Sequence, residues 1–418
     1  MLSQTHDGEI QQSDVQTQSI AKSVQRKRLY YLDWLRVVAV LGVFISHTGD
    51  IFDTLYWHTR QGGQDISWNA LATFGAEWGM SLVFLLAGAS AWFALLSRSG
   101  NQFIGERFKR LLIPFIAAFI LLSPFQAYIM AYFIASGYSL FHGTLLQFFP
   151  YFFEHIQIGG DLRWMTIYGY HLWFLAYLFL ISMIALPLLL YVKQERGMQF
   201  ITWLAAFCNR PAGLFVFVLP IALIRMMLWG LFPGYQGWTD FYSWFVLFVC
   251  GFIIFSNDMF QPAIQKQWKI FLPVAFVCIV TLIALNVVGI LNEWEKAPGY
   301  SAVYLFYQLL LSIASWSMTV SALYLAMRFL NFSNRVLQYA NQAILPFYVI
   351  HQPVILIIAF YVLAWNIPTG VKYLFVSMAA LIATLVLYEL LIRRFKPLRW
   401  IFGMKTSQSH LPVHTLQS

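Results

Sequence analysis

Charge is what this sequence has least of. Aspartate, glutamate, lysine and arginine make up 10% of its 418 residues, against 60% hydrophobic residues. Soluble domains carry about 25% charged residues, so a water-exposed globule is excluded and membrane embedding follows. Cysteine is scarce too. Cys208, Cys250 and Cys278 sit in or beside apolar runs with neither paired nor metal-ligand spacing. They read as buried thiols, and no metal site is expected. No apolar-polar alternation of about ten residues repeats, which excludes a membrane barrel. There is no internal repeat, and no hydrophilic stretch long enough for a second folded domain.

What is present is a series of apolar runs of about 20 residues, the length a helix needs to cross the hydrocarbon core. They predict an all-α, polytopic transmembrane bundle of about ten helices, near 32–52, 71–95, 111–135, 171–192, 213–232, 241–257, 270–291, 303–327, 341–364 and 371–392. Residues 1–28 are polar with a basic end, lack a signal-peptide core and are expected to be a disordered cytoplasmic tail. Residues 29–395 form the membrane domain and 396–418 a second cytoplasmic tail. With the N-terminus inside, 20 of the 26 lysines and arginines fall in inside segments, and only Arg60, Arg163, Lys296 and Lys372 fall outside. This positive-inside bias places both termini in the cytoplasm of a multi-pass protein of the cell (inner or plasma) membrane. The net charge of +9 is thereby topological and implies no nucleic-acid partner.

The first span, "LDWLRVVAVLGVFISHTGDIF", carries Arg36 and His47. Eleven residues are about three helical turns, so the two side chains share a face with a rise of about 16 Å between them. Arg36 lies near the inner surface and His47 at or beyond mid-membrane. Separately each has a structural reading: Arg36 as a snorkelling anchor paired with Asp33 at i,i+3, His47 as a helix-contact residue. Together, in phase and costly in hydrocarbon, they point to a functional cavity. The spacing suits an elongated ligand with anionic groups at one end and a reactive group at the other, as in the phosphopantetheine arm of an acyl-CoA.

Four further stretches follow in order: "SLVFLLAGAS" (81–90), "ERFKRLLIP" (106–114), "HLWFL" (171–175) and "PFYVIHQPVI" (346–355). With the Arg-x10-His pattern of Arg36 and His47, the chain resembles the acyltransferase family 3 of integral membrane O-acyltransferases. The resemblance implies a ten-helix bundle that takes an acyl group from cytosolic acyl-CoA. That group goes to a hydroxyl of an envelope glycan, glycolipid or other small acceptor reached from the outer side. Acyl-CoA, of the acetyl or succinyl class, is then a co-substrate, with no bound cofactor.

On this footing His47 is the expected general base, because imidazole titrates near neutrality and a hydroxyl needs its proton removed during attack. Direct transfer and an acyl-histidine intermediate both remain open. Asp50 and Glu77 are candidates to orient the ring, with a solvated helix end as the plain reading of Asp50. Arg36, Arg107 and Arg110 are expected to bind the CoA phosphates, the last two from one helical face. Arg225, alone in the middle of a span, must meet an acid, carbonyls or water; it would hold a CoA phosphate or brace the bundle. His171 and Trp173 open the fourth span, as acceptor contacts or as belt residues. His351 and Gln352 precede Pro353, which frees a carbonyl one turn earlier, so this turn is a candidate pocket wall. Glu389 and Arg393 form an ordinary i,i+4 pair. The rival class is a proton-coupled secondary transporter or exporter of an acidic solute, which often shows two related halves.

Overall fold

The structure, a computed structural model, describes residues 28–52, 66–130, 141–295 and 300–404; the side chains of 66–77, Asn292 and Glu295 are outside the description. The expected tails, apart from Arg28 and residues 396–404, and parts of the two longer outer loops also lie outside it. All regular elements among the described residues are helical. In chain order they are α1 (Tyr30–Asp50), α2 (Ile66–Ser97), α3 (Gly100–Ile129), α4 (Leu145–Glu154), α5 (Trp164–Val192), α6 (Glu195–Cys208) and α7 (Gly213–Leu228). There follow α8 (Trp238–Ser256), α9 (Phe260–Val287), α10 (Ala302–Phe329), α11 (Arg335–Leu363) and α12 (Thr369–Ile392), with short helices at Ile290–Glu295 and Lys396–Ile401.

Among the described residues, nine helices are long and apolar enough to cross a membrane: α1, α2, α3, α5 and α8 to α12. The expected span near 213–232 is α7, and it is shorter. It opens as a 3-10 turn over Gly213–Phe217 and continues as an α-helix only to Leu228. Its length is about 26 Å, against roughly 30 Å of hydrocarbon. Its start is fixed by a sharp turn out of α6. Ala212 has φ +59°, and a Cβ on Gly213 would overlap the Phe207 carbonyl.

The middle of the bundle is α2, which packs against α1, α8, α9 and α10. Two glycines let α2 and α8 meet backbone to backbone. A Cβ on Gly88 would overlap the Phe248 carbonyl, and one on Gly251 the Leu85 carbonyl. Without a hydrophobic drive between helices in lipid, such small-residue contacts are how helices gain packing. A continuous core extends from this seam through Phe84, Phe248, Phe252, Tyr177 and Trp316.

Several helices of the bundle are interrupted. A π turn replaces the α-helical ladder of α3 at Phe108–Leu112. In α5, Tyr170 takes φ +51° and a 3-10 turn, Tyr170–Leu172, carries His171. Prolines 346 and 353 lie inside α11. π turns and freed carbonyls concentrate at working sites because they re-aim side chains and leave backbone groups to be satisfied by them. Glu389 and Arg393 form the expected surface pair, at 2.9 Å.

Candidate active site

The Arg36 end of α1 opens on a cavity of about 680 Å³, lined in part by Arg28, Asp33, Arg36, Ser90, Arg98 and Asp258. Arg36 donates from Nη1 to Asp33 Oδ1 at 2.8 Å and from Nη2 to Ser90 Oγ at 2.7 Å. The Ser90 hydroxyl in turn donates to the Leu86 carbonyl. The i,i+3 pairing with Asp33 is therefore present, and it does not use up the group. Three of the five guanidinium N–H bonds remain, tethered between α1 and α2 and facing a cavity. Arg28 shares the same carboxylate at 2.8 Å.

Arg107 lies over the Phe103 ring at 4.7 Å, close enough to Arg36, Arg98 and Arg110 for their charges to interact. The spacing argument for Arg107 and Arg110 assumed an unbroken α-helix. The π turn begins directly after Arg107 and changes the phase, leaving Arg107 half-buried and Arg110 exposed. Arg98 pairs with Glu106 at 3.0 Å. The mouth is a basic rim in which acids hold some arginines in place.

His47 sits three turns further along α1, with its Nδ1 3.0 Å from Asp50 Oδ2. A carboxylate only accepts, so Nδ1 carries a proton, and in the neutral ring Nε2 has the lone pair. Asp50 is thus in hydrogen-bond contact with the ring, as well as ending the helix. The Glu77 side chain lies outside the described residues.

Two more imidazoles join from distant parts of the chain. His351 stacks on His47 with ring centroids 5.5 Å apart, and His171 meets His47 edge-on at 6.4 Å and His351 at 4.9 Å. Pro353 explains the position of His171. It lacks the N–H that would have bonded the Val349 carbonyl, and His171 Nε2 donates to that carbonyl at 3.0 Å. His351 Nδ1 donates to the Tyr348 carbonyl at 2.6 Å, and the Tyr348 hydroxyl donates to the His171 carbonyl. Each ring therefore has one nitrogen fixed as a donor to the backbone. The other nitrogens, Nδ1 of His171 and Nε2 of His351, are buried and have no partner among the described residues. Buried lone pairs left unmet are costly, so this is a place for a donor to come. Among the described residues, no group of three or more histidine, cysteine or acidic side chains is arranged to hold a metal ion.

Gln352 is buried beside His351, with its Oε1 lacking a partner among the described residues. Trp173 is set back from the imidazoles. It stacks on Trp244 of α8 with centroids 5.0 Å apart. Arg225 is brought to neither group. It pairs with Asp240 at 3.1 Å and Gln308 at 3.0 Å, at a second cavity that Ser81 also lines. Ser81 and Ser90, which line the two cavities, are nine residues apart on α2, about 13 Å of rise. Arg225 is thus away from the Arg36 mouth.

From the sequence, His171 reads as an acceptor contact or belt residue and His351 as a pocket wall, with no sign that both rings meet that of His47. The Pro353 signal pointed to a freed carbonyl but not to the side chain that takes it. Ser90 was passed over, although it closes the small-residue stretch quoted above.

The model described as an acyltransferase domain matches residues 29–389. No curated protein and no solved structure matches the chain. With nearly the whole membrane bundle inside that match, the chain belongs to the acyltransferase family 3 and is a multi-pass membrane acyltransferase.

Proposed function

We propose that this acyltransferase takes an acetyl or succinyl group from cytosolic acyl-CoA. It delivers the group to a hydroxyl of an envelope glycan, glycolipid or small acceptor across the cell membrane. The observation that carries this reading is the 3.0 Å contact of His47 Nδ1 with Asp50, on the helix face that carries Arg36 and its cationic mouth about 16 Å of rise away. Arg36, Arg107 and Arg110 bind CoA phosphates, for which guanidinium forks are suited. The pantetheine arm then spans the membrane half between them and the imidazoles.

His47 Nε2 accepts the proton of the acceptor hydroxyl as its oxygen attacks the thioester carbonyl. The ester C–O bond forms and the C–S bond breaks. The departing sulfur takes the proton back from the imidazolium, so CoA leaves as a thiol and His47 is neutral again. Asp50 steadies the transient cation through Nδ1–H. The free nitrogens of His171 and His351 hold the acceptor by hydrogen bonds from its hydroxyls.

The test is purified protein in vesicles with acetyl-CoA or succinyl-CoA inside and envelope extract outside, following free CoA and acylated product by mass spectrometry. Product appearing with one equivalent of free CoA is expected. Acylated product formed without acyl-CoA, or uptake of an acidic solute without CoA release, rules the reading out.

A further inference from the structure

The Arg225 cavity, about 170 Å³ between α2, α7, α8 and α10, plays no part in the chemistry above. Its hydrogen-bond ledger is specific. Asp240 accepts from Arg225 through Oδ1 and from the Gln236 backbone N–H through Oδ2. Arg225 gives Nε to Gln308 and one Nη1 bond to Asp240, which leaves three N–H donors. Ser243, Ser312 and Ser315 spend their protons on Thr239, Gln308 and Ser81 and keep lone pairs. Trp229 and Trp244 supply aromatic walls, with the Arg225 guanidinium 5.5 Å from the Trp229 ring centroid.

These groups select among ligand classes. An anion would leave a net buried negative charge, because Asp240 already balances Arg225. An apolar group would leave the guanidinium donors unmet. An uncharged, oxygen-rich ring meets every demand: its oxygens accept from Arg225, its hydroxyls donate to the serines, and its C–H faces lie on the electron-rich indole faces. We propose that this cavity binds an uncharged polyol or sugar ring at a site distinct from the imidazoles. Trp244, which lines the cavity, stacks on Trp173, two residues along the chain from His171. Resting on the acyl-transfer reading, the bound ring is a part of the acceptor other than the one acylated; the binding itself does not depend on that reading.

Saturation-transfer NMR on the full-length protein in detergent tests it, with methyl β-D-glucopyranoside and myo-inositol as probes and D-glucuronate as the charged competitor. Transfer to the ring protons of at least one uncharged probe is expected. It should be lost in the paired variant Arg225→Met/Asp240→Asn, which removes both charges together. Ser81→Leu, which fills the cavity and leaves the ion pair, should lose it as well, so a misfolded double variant does not decide the matter. No transfer from either probe marks a water-filled cavity and overturns the proposal. So does transfer unchanged in Ser81→Leu, or displacement of the probes by glucuronate at lower concentration. His47→Ala should keep the transfer signal. If that variant also keeps acyl transfer, the role of His47 as base fails while the binding result stands.

Discussion

His47 of α1 and His351 of α11 stack with ring centroids 5.5 Å apart and planes inclined by 22°. His351 is wholly buried, fixed by its own backbone bond, and flanked by Phe347 and Phe44 at 5.9 and 6.1 Å. A buried, hydrogen-bonded ring stacked against the proposed base restricts how His47 can turn, which is the kind of support a preorganised site needs. His351→Phe keeps an aromatic ring there and removes the free Nε2. It should retain expression and raise the acceptor KM by tenfold or more with little change in the acyl-CoA KM, as read by steady-state kinetics with both substrates varied.

Asp50 bonds Nδ1 of His47 and fixes the proton on that nitrogen. Asp50→Asn can present its amide N–H₂ instead, which favours the opposite tautomer and removes the carboxylate charge. A fall in kcat of roughly 10- to 100-fold is expected, with substrate KM values nearly unchanged. A rate within twofold of the parent would show that Asp50 does not hold the ring.

Pro353→Ala restores an N–H that competes with His171 for the Val349 carbonyl. The helix gains a bond while the site loses a fixed imidazole. Thermal unfolding should move little or upward, and acyl transfer should fall. Unchanged activity would mean that the His171 contact is not needed.

Arg36 is tethered by Asp33 and Ser90. Arg36→Ala should raise the apparent KM for acyl-CoA by tenfold or more. Ser90→Ala should raise it by a smaller factor, since it removes one tether and leaves the guanidinium held by Asp33. Titration with acyl-CoA at two salt concentrations checks this, the parent weakening more steeply with salt than Arg36→Ala.

Gly88 and Gly251 let α2 and α8 touch through their backbones. Gly88→Ala should cost about 1–3 kcal/mol through forced separation of the helices. Melting in detergent reads this directly, and a Tm equal to the parent would remove the close-contact account of the seam.

Periodicity and composition made much of the fold legible. Apolar runs of membrane length gave the helices, and the three-turn spacing placed Arg36 and His47 on one stripe of α1. What stayed hidden depends on long-range packing or on local departures from α geometry. Nothing near His171 announces that Val349 will be its partner; that follows from how α5 and α11 pack. The π turn after Arg107 has no periodic signature, so an i,i+3 argument for Arg107 and Arg110 assumed the wrong local helix. Hydropathy overestimated α7 because the apolar run continues past Leu228, where the helix ends and the chain goes into turns before Pro233. For Arg225, sequence alone demanded a partner among acids, carbonyls or water; Asp240 on the next helix is that partner.

The central claim is that the His47 imidazole takes the acceptor proton, and rate at saturating substrate tests it most directly. Parent and His47→Ala protein, matched for folding by melting and elution, should be compared at saturating acetyl-CoA and envelope acceptor. The account predicts a drop in acylated product of at least about 100-fold, the low end of what a positioned base supplies. A His47→Ala rate within tenfold of the parent would contradict it.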